Sequence, residues 1–481
     1  MELQGCCCVY FTKIKIKMKR IVPFSLYLFG IIEVLINVSS GYSSILLLLV
    51  QIGLMATTLI IEKRVGVALF CGFMLVGFGE WVYVLGQDSN PANLYTLSIG
   101  GLSVYGLMSI LHLLRVAPIV RLNSQQKRFA ILCFFSFSVF IIYSFTLSIL
   151  NDKIHTLLGD IKLFLPIPLF IILFSCLSVE SLEGLIRVAV RVVILQLVAG
   201  YFVGASFEYG VGYSYIPMSN IGFLVVGFIF SPLIRLSVYE RVCYLSVIFY
   251  FIVSGDVFFN GKQLLFGFLC FLICFFQIIY GYKRRVRGGA ATKIVLVLAM
   301  LLLVSVGYYV YMVSTIDPIT AYKISQILSV FSLNIDDLLY TRTSVGNLVA
   351  EAMTLISVSV DRPFIAIFGA GFGGGVEDKL NALHLWVDKG GYPTDFMVDN
   401  YYSKMHLALF DFVLKFGFVA TAIAFVYLFR VARTEIYLGV TMLYLFVLLI
   451  TANKEMAAVW VISLLLLSKM RQKKNFEQGA I

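Results

Sequence analysis

The chain has 481 residues, of which 60% are hydrophobic and only 13% are charged. A soluble domain averages about 45–50% apolar and about 25% charged residues, so a water-soluble fold of this length would lack the charges to cover its surface. The composition excludes a soluble enzyme, a disordered protein and a disulfide-stapled secreted module. It predicts an all-α, polytopic integral membrane protein, and the net charge of +11 then has to be explained by topology.

Apolar segments recur along the chain at lengths that suit membrane helices. A spanning helix needs about 20 mostly apolar residues, and this criterion predicts about 14 transmembrane helices. The predicted spans cover residues 21–38, 43–61, 65–86, 95–114, 129–150, 163–179, 188–205, 217–234, 241–257, 263–282, 294–313, 406–429, 435–452 and 455–468. Spans 1 to 11 therefore occupy 21–313, and spans 12 to 14 occupy 406–468.

Basic residues are distributed unevenly between the connecting segments. With a cytoplasmic N-terminus, the inner segments hold 26 of the 37 Lys and Arg residues, whereas the short outer connections hold four. The positive-inside rule predicts this asymmetry. We therefore expect a multi-pass protein with residues 1–20 and 469–481 as basic cytoplasmic ends, whether translation starts at Met1 or at Met18. Topology explains the basic balance, so no nucleic-acid partner is expected.

One outer connection, 314–405, is far longer than the others. It is rich in aromatic and aliphatic residues, so we expect a folded, partly helical extracytoplasmic loop rather than a disordered one. Apolar residues recur at helical spacing over 320–333 and 344–358, and Asp361-Arg362-Pro363 is expected to end the second helix. The segment holds six basic and ten acidic side chains. Isolated cations in such a setting are candidates for binding a specific anion.

A glycine run, Gly369-Ala370-Gly371-Phe372-Gly373-Gly374-Gly375, follows that helix. Gly369, Gly371 and Gly374 match the Gly-x-Gly-x-x-Gly fingerprint, and Asp388 lies near the expected acidic position. The fingerprint indicates a dinucleotide site only inside a βαβ unit, and here polar residues follow instead of a helix. We therefore expect a backbone turn that approaches either a substrate or another helix closely, with no cofactor.

The outer segment and the span after it carry a pattern known from one family. From Arg342, through Asp361-Arg362-Pro363 and Gly369-Ala370-Gly371, to Asp399-Asn400-Tyr401-Tyr402 and Phe416-Gly417-Phe418, the chain resembles the O-antigen polymerase/ligase family of bacterial inner-membrane glycosyltransferases. The resemblance is strongest over 340–420 and topological elsewhere. Ligases of the family carry His-Asn where this chain has Asp399-Asn400, so the resemblance favours a polymerase.

That resemblance implies a function. The substrate would be a polyprenyl-diphosphate-linked oligosaccharide repeat unit, polymerised into O-antigen or a related surface polysaccharide of the lipopolysaccharide kind at the periplasmic face of the inner membrane. The carrier would be undecaprenyl diphosphate or a similar lipid. The bilayer and a chain-length regulator protein are the other candidate partners. The alternatives are a lipid-linked oligosaccharide flippase or other transporter, and an O-antigen ligase.

Such a site needs cations for the departing diphosphate and a proton acceptor for the attacking hydroxyl. For the diphosphate we expect Arg342 first, then Lys262, then Arg362. Asp399 is the expected base, with His384 and His406 as alternatives. Asn400 and Tyr401 would orient sugars, Gly369 and Gly371 would form the substrate turn, and no bound metal is required. Each role has a structural alternative: Arg342 could pair with Asp336 or Asp337, Lys262 could extend to the interface, and Asp399 could cap the next helix.

Overall fold

A computed structural model of the chain describes part of the sequence, and all structural statements below concern that part. The described residues are 21–36, 42–77, 94, 97–99, 102–116, 124–150, 154–202, 207–209, 213–215, 234–253, 344–379, 383, 397–398, 401–402, 405, 408–434, 460, 463, 466–467 and 470. Their backbone is mostly helical, in agreement with the predicted helical fold class. The strands among them are only two or three residues long.

The helices are α1 (Ile21–Ile36), α2 (Tyr42–Ile60), α3 (Lys63–Val76), α4 (Val104–Val116), α5 (Ser124–Leu150), α6 (Ile154–Phe164), α7 (Pro166–Ser175), α8 (Val179–Phe202), α9 (Val238–Val253), α10 (Ser344–Asp361), α11 (Pro363–Phe368) and α12 (Ala408–Thr434). The strands are β1 (Ser98–Ile99), β2 (Leu102–Ser103), β3 (Phe207–Tyr209), β4 (Tyr213–Tyr215), β5 (Val376–Glu377), β6 (Met397–Val398) and β7 (Tyr401–Tyr402). The chain divides into two compact units. Unit 1 comprises Met1–Phe134, Lys162–Cys270 and Glu455–Ile481, and unit 2 comprises Phe135–Ile161 and Phe271–Lys454.

Two segments are long and apolar enough to cross a membrane, as far as the described residues go: Tyr42–Ile60 and Thr156–Ser175. The first coincides with the predicted span 43–61. The second joins α6 to α7 through Leu165, whose backbone is right-handed helical, and it begins seven residues before the predicted span 163–179. The helix therefore begins before the predicted span, in a stretch with Asp160 and Lys162 that the sequence assigns to a polar connection.

The other predicted spans agree with the structure to different degrees. Spans 21–38, 129–150, 188–205, 241–257 and 406–429 each overlap a helix over most of their length. Span 95–114 is wrong in its first third, because Ser98–Ile99 and Leu102–Ser103 pair as an antiparallel hairpin before α4 begins. Helix α3 covers the first part of span 65–86. The spans 217–234, 263–282, 294–313 and 435–452, and most of 455–468, lie outside the described residues.

Three helices of unit 1 meet around a buried amide. The side chain of Gln196 on α8 is 1% exposed, and its Nε2 donates hydrogen bonds to the carbonyl of Gly30 on α1 (3.1 Å) and to that of Val76 on α3 (3.0 Å). A Cβ atom at Gly30 would lie 2.3 Å from the side chain of Val192. A buried amide group requires such partners, so Gln196 fixes the position of α8 against both helices.

Charged side chains of unit 1 join helix ends. Arg115 at the end of α4 donates to the carbonyl of Thr58 (3.0 Å) and to that of Ile61, at the end of α2. Arg191 on α8 donates its Nε to Glu240 at the start of α9 (2.8 Å). Each residue in these contacts lies in a segment that the sequence assigns to the cytoplasmic side, or within four residues of such a segment. The contacts therefore link ends that the predicted topology places together.

Unit 2 contains the predicted outer segment. Helix α10 begins and ends close to the predicted 344–358 helix, and it stops before Arg362 as expected. The strands form an antiparallel sheet in the order β5-β7-β6. The sheet, α10 and the start of α12 share one buried apolar cluster: Ala350, Leu355, Val358, Ala370, Val376, Leu383, Tyr402, Met405, Val413 and Leu414. The glycine run lies between this cluster and the adjacent ends of α5 and α6.

Candidate functional site

The segment Gly369–Gly375, called the glycine loop below, has a backbone conformation that residues other than glycine rarely adopt. Gly369, Gly371 and Gly373 have φ angles of 83°, 74° and 77°, in the region that favours glycine. A Cβ atom at Gly369 would lie 2.2 Å from the carbonyl oxygen of Lys415, and one at Gly373 would lie 2.7 Å from the backbone nitrogen of Leu157. The glycines are therefore explained by the close approach of the loop backbone to α12 and α6. A close approach to another helix is one of the two predicted alternatives, and a close approach to a substrate is the other.

Helix α12 is broken where the glycine loop meets it. Gly417 has φ 79° and ψ 168° inside the helix, so the regular pattern of hydrogen bonds from residue i to residue i−4 is interrupted there. The carbonyl of Leu414 accepts from the N–H of Ala370 (2.7 Å), and the carbonyl of Lys415 accepts from the N–H of Gly371 (3.1 Å). The glycine loop thus supplies donors to carbonyls beside the break.

A buried ion pair lies under the glycine loop. The Nζ atom of Lys415 is 2.6 Å from Oδ2 of Asp160, and the two side chains are 0% and 2% exposed. Lys415 also donates to the carbonyl of Gly374 (2.8 Å), and Asp160 accepts from the N–H of Gly373 (2.8 Å). A buried charge requires both a counter-charge and hydrogen bonds, and each member of this pair has both. The pair therefore links α6, α12 and the glycine loop.

Hydroxyl groups of α5 and α6 hold the other side of the glycine loop. Tyr143 donates to the carbonyl of Gly369 (2.9 Å), and Ser144 Oγ accepts from the N–H of Phe372 (2.9 Å). Ser148 donates to the carbonyl of Phe372 (3.0 Å), and Thr156 donates to that of Gly373 (3.2 Å). These contacts fix the path of the loop backbone residue by residue.

Phe372 anchors the glycine loop in an aromatic cluster. Its ring is buried, and its centroid lies 4.9 Å from that of Phe140 on α5, with the rings at 88°. The ring of Phe416 lies 5.8 Å away at 79°. Edge-to-face pairs of this kind add about 0.5–1.5 kcal/mol each beyond the area they bury. Phe372 therefore locks the loop between α5 and α12.

Every backbone N–H from Ala370 to Gly375 has a protein acceptor. Besides the four donors described above, Gly374 donates to the carbonyl of Gly371 (3.2 Å), and Gly375 donates to the phenol oxygen of Tyr401 (2.7 Å). A glycine-rich phosphate cradle works through free N–H groups. In addition, the two-residue strand β5, not a helix, follows the loop. This geometry favours helix packing over nucleotide binding for Gly369 and Gly371.

Tyr401 contacts the last residue of the glycine loop, and the charge of Arg362 acts on its phenol. Burial raises the pKa of Tyr401, although the N–H of Gly375 and the positive charge of Arg362 oppose that rise. Burial, and secondly the negative charge of Asp378, raises the pKa of Tyr402 to about 12. Both phenols are therefore protonated at neutral pH. Arg362 is exposed, so its guanidinium group is available to a ligand beside Tyr401.

The structure brings together four of the predicted site residues: Arg362, Gly369, Gly371 and Tyr401. The other six lie outside the described residues, namely Lys262, Arg342, His384, Asp399, Asn400 and His406. Asp399 and Asn400 connect β6 to β7 in the sequence, so the strand before them and the strand after them both belong to the sheet beside the glycine loop.

Sequence reasoning missed the buried pair Asp160 and Lys415. A signal existed for Lys415, because an ionisable residue inside the predicted span 406–429 is a functional candidate by default. Asp160 gave no such signal, since it was counted in a polar connection.

No protein-family model, curated protein or solved structure matches the chain.

Proposed function

We propose that the protein is a membrane glycosyltransferase that polymerises polyprenyl-diphosphate-linked oligosaccharide repeat units into O-antigen or a related surface polysaccharide. The carrying observation is that the glycine loop contacts both Tyr401 and the carbonyls beside Gly417, which belong to separate parts of the family-like pattern, and that the charge of Arg362 acts on the phenol of Tyr401. The break at Gly417 belongs to the same site. Three parts of a loose sequence pattern that converge in space support a common role.

The proposal includes a polytopic chain of about 14 transmembrane helices in the bacterial inner membrane, with both termini in the cytoplasm. Two observations support this placement. Contacts at helix ends in unit 1 join segments that were assigned to the inner side. The contacts of the glycine loop in unit 2 join the outer ends of the predicted spans 129–150 and 406–429 to the outer segment 314–405.

The proposed reaction is a glycosyl transfer between two lipid-linked chains. A sugar hydroxyl of one repeat unit forms the new C–O bond at the anomeric carbon of the other chain, and the bond from that carbon to the diphosphate oxygen breaks. Asp399 accepts the hydroxyl proton. Arg342, Lys262 and Arg362 stabilise the negative charge that develops on the departing oxygen, in addition to the two charges that the diphosphate already carries, while Asn400 and the protonated phenol of Tyr401 orient the sugars.

A deletion strain tests the function. Loss of a polymerase should leave single repeat units on the surface lipid, so that the ladder of polysaccharide lengths collapses to one band. Long chains that persist in the deletion strain would contradict the proposal. Loss of a ligase would instead leave long chains on the polyprenyl carrier, with none on the surface lipid.

Complementation of that strain tests the residues. Arg342→Ala should give the single band while the protein still accumulates in the membrane. Arg235→Ala is the matched control, because Arg235 has an 82% exposed side chain and lies in a predicted cytoplasmic connection. It should restore the full ladder. Chain growth with Arg342→Ala would remove Arg342 from the site.

A second candidate is a lipid-linked oligosaccharide flippase or another transporter. The break in α12 beside the ion pair of Lys415 and Asp160 favours it, because transporters build their sites from discontinuous helices and intramembrane charges. Against it, both members of the pair are occupied by each other and by the glycine loop. Deletion separates the two candidates: loss of a flippase would leave no repeat unit on the outer face, whereas loss of a polymerase would leave one.

A further inference from the structure

The deepest hydrogen bonds of the glycine loop to three helices lie at nearly the same distance from the helix ends, whereas Ser148 and Thr156 contact the loop only two residues from those ends. Tyr143 lies seven residues before Leu150, where α5 ends, Asp160 lies six residues after Ile154, where α6 begins, and Lys415 lies seven residues after Ala408, where α12 begins. At a rise of about 1.5 Å per residue, each contact lies about 9–10 Å from the helix end. The glycine loop therefore extends from near the helix ends to about 10 Å inside them.

Helix α11, which leads into the glycine loop, lies at the same level. Ile365 and Ala366 line a small apolar groove together with Val413, Leu414 and Phe418 of α12. The ring centroid of Phe364 lies 6.4 Å from that of Tyr143 on α5. Helix α11 is thus flanked by residues that are five to ten positions inside the ends of α5 and α12.

The outward face of α11 is apolar and uncovered in the described structure. None of its six residues is buried, and Phe364, Ile367 and Phe368 are 55%, 44% and 53% exposed. The exposed side chains of Phe418 and Val419 on α12 extend the same surface. Six consecutive apolar residues with no buried member are unfavourable in water.

The N–H groups of the irregular backbone next to α11 need no water. All N–H groups from Ala370 to Gly375 have protein acceptors, and the loop donates to carbonyls beside the break at Gly417. Non-helical backbone occurs at membrane depth only where the protein itself satisfies its polar groups. The glycine loop meets that condition on both of its sides.

We propose that residues 363–374 form a re-entrant segment, which enters the outer leaflet to about 10 Å below the ends of α5, α6 and α12, and that Phe364, Ile367 and Phe368 contact lipid acyl chains. The inference rests on the membrane placement proposed above. It changes the assignment of this part of 314–405 from periplasm to bilayer. Arg362, one residue before α11, then lies where the segment enters the membrane and can meet a lipid-linked phosphate.

Fluorescence quenching in proteoliposomes tests the depth. A fluorescent amino acid replaces Phe368 in the full chain, and quenching by phospholipids with a nitroxide midway along the acyl chain is compared with quenching by aqueous iodide. Leu49 is the matched lipid control, because it lies seven residues inside α2 and is 58% exposed. Lys379, whose side chain is 51% exposed, is the water control.

We expect the lipid nitroxide to quench the probe at position 368 as strongly as the probe at position 49. We expect iodide to quench the probe at position 368 at least about threefold less than the probe at position 379, because water is excluded from the hydrocarbon core. Quenching at 368 that matches position 379 overturns the inference, while lipid quenching at 49 preserves the membrane placement. Protection from both quenchers means that another segment or a second copy covers α11, which also overturns it. If position 49 is not quenched by lipid, the membrane placement itself fails.

Discussion

The ion pair of Lys415 and Asp160 allows a quantitative test of the site. In Lys415→Met, the Asp160 carboxylate keeps its 2% exposure but loses the ammonium group at 2.6 Å, and the carbonyl of Gly374 loses its donor at 2.8 Å. Removal of one partner from a buried pair costs about 3–5 kcal/mol, because the remaining charge is uncompensated. We therefore expect the free energy of unfolding to fall by about that amount.

An exposed pair of the same length provides the control. Lys379 Nζ lies 2.6 Å from Asp361 Oδ2, but these side chains are 51% and 42% exposed. Because solvent screens such a pair, Lys379→Met should lower the free energy of unfolding by at most about 1 kcal/mol. The two substitutions make the same chemical change at the same distance, so their difference isolates the effect of burial.

A double variant tests whether the loss comes from the unpaired charge. Asp160→Asn removes the negative charge but keeps an oxygen that can accept from the N–H of Gly373. The double variant, Lys415→Met with Asp160→Asn, should recover at least about 2 kcal/mol of the free energy of unfolding that Lys415→Met loses. Pulse proteolysis in mixed micelles with increasing sodium dodecyl sulfate measures the folded fraction of each variant. The reasoning is refuted if Lys415→Met costs no more than Lys379→Met, or if the double variant is less stable than Lys415→Met.

Two further predictions concern the helix break and the sheet. Gly417→Ala should lower the free energy of unfolding by at least about 2 kcal/mol, because its φ is 79° and the new Cβ would lie 2.2 Å from the carbonyl oxygen of Ile367. Gly53→Ala, which meets nothing within 4 Å, should not destabilise, and equal effects would contradict the prediction. The pKa of Tyr402 is raised to about 12 from its ordinary value of about 10. The contribution of the protonated Tyr402 phenol to the free energy of unfolding is therefore complete below a pH of about 10 and is lost as the pH approaches about 12. The stability difference between the natural chain and Tyr402→Phe should therefore narrow over that interval, and a constant difference in alkaline unfolding titrations would argue against it.

Sequence patterns located the helices well where an apolar run is continuous. The predicted span 43–61 and the helix Tyr42–Ile60 differ by one residue at each end. At the start of span 163–179 the helix extends further than the predicted span, because Asp160 and Lys162 look like the end of an apolar segment. Asp160 is nevertheless helical and buried, since its counter-charge comes from a distant part of the chain. A local window contains no information about that partner.

The same reason limits the prediction of the site. Glycine spacing in the glycine loop correctly indicated a close backbone approach, because positive φ and the absence of a Cβ atom are properties of the residue itself. The identity of the neighbouring helix, and the break at Gly417 that receives two donors from the loop, depend on contacts with remote residues. The hairpin at Ser98–Ser103 was missed because its strands are too short to show an alternating pattern.

The order of synthesis gives the buried ion pair a further consequence. Asp160 and the N–H of Gly373 that it accepts from are 213 residues apart, and Lys415 is translated later still. Under the proposed membrane placement, α6 therefore leaves the ribosome with a carboxylate that has no cation until most of the chain has been made. During that interval Asp160 must stay near water. The arrival of α12 then allows α6 to settle in its final position, so a chain truncated before Lys415 should expose α6 to membrane proteases.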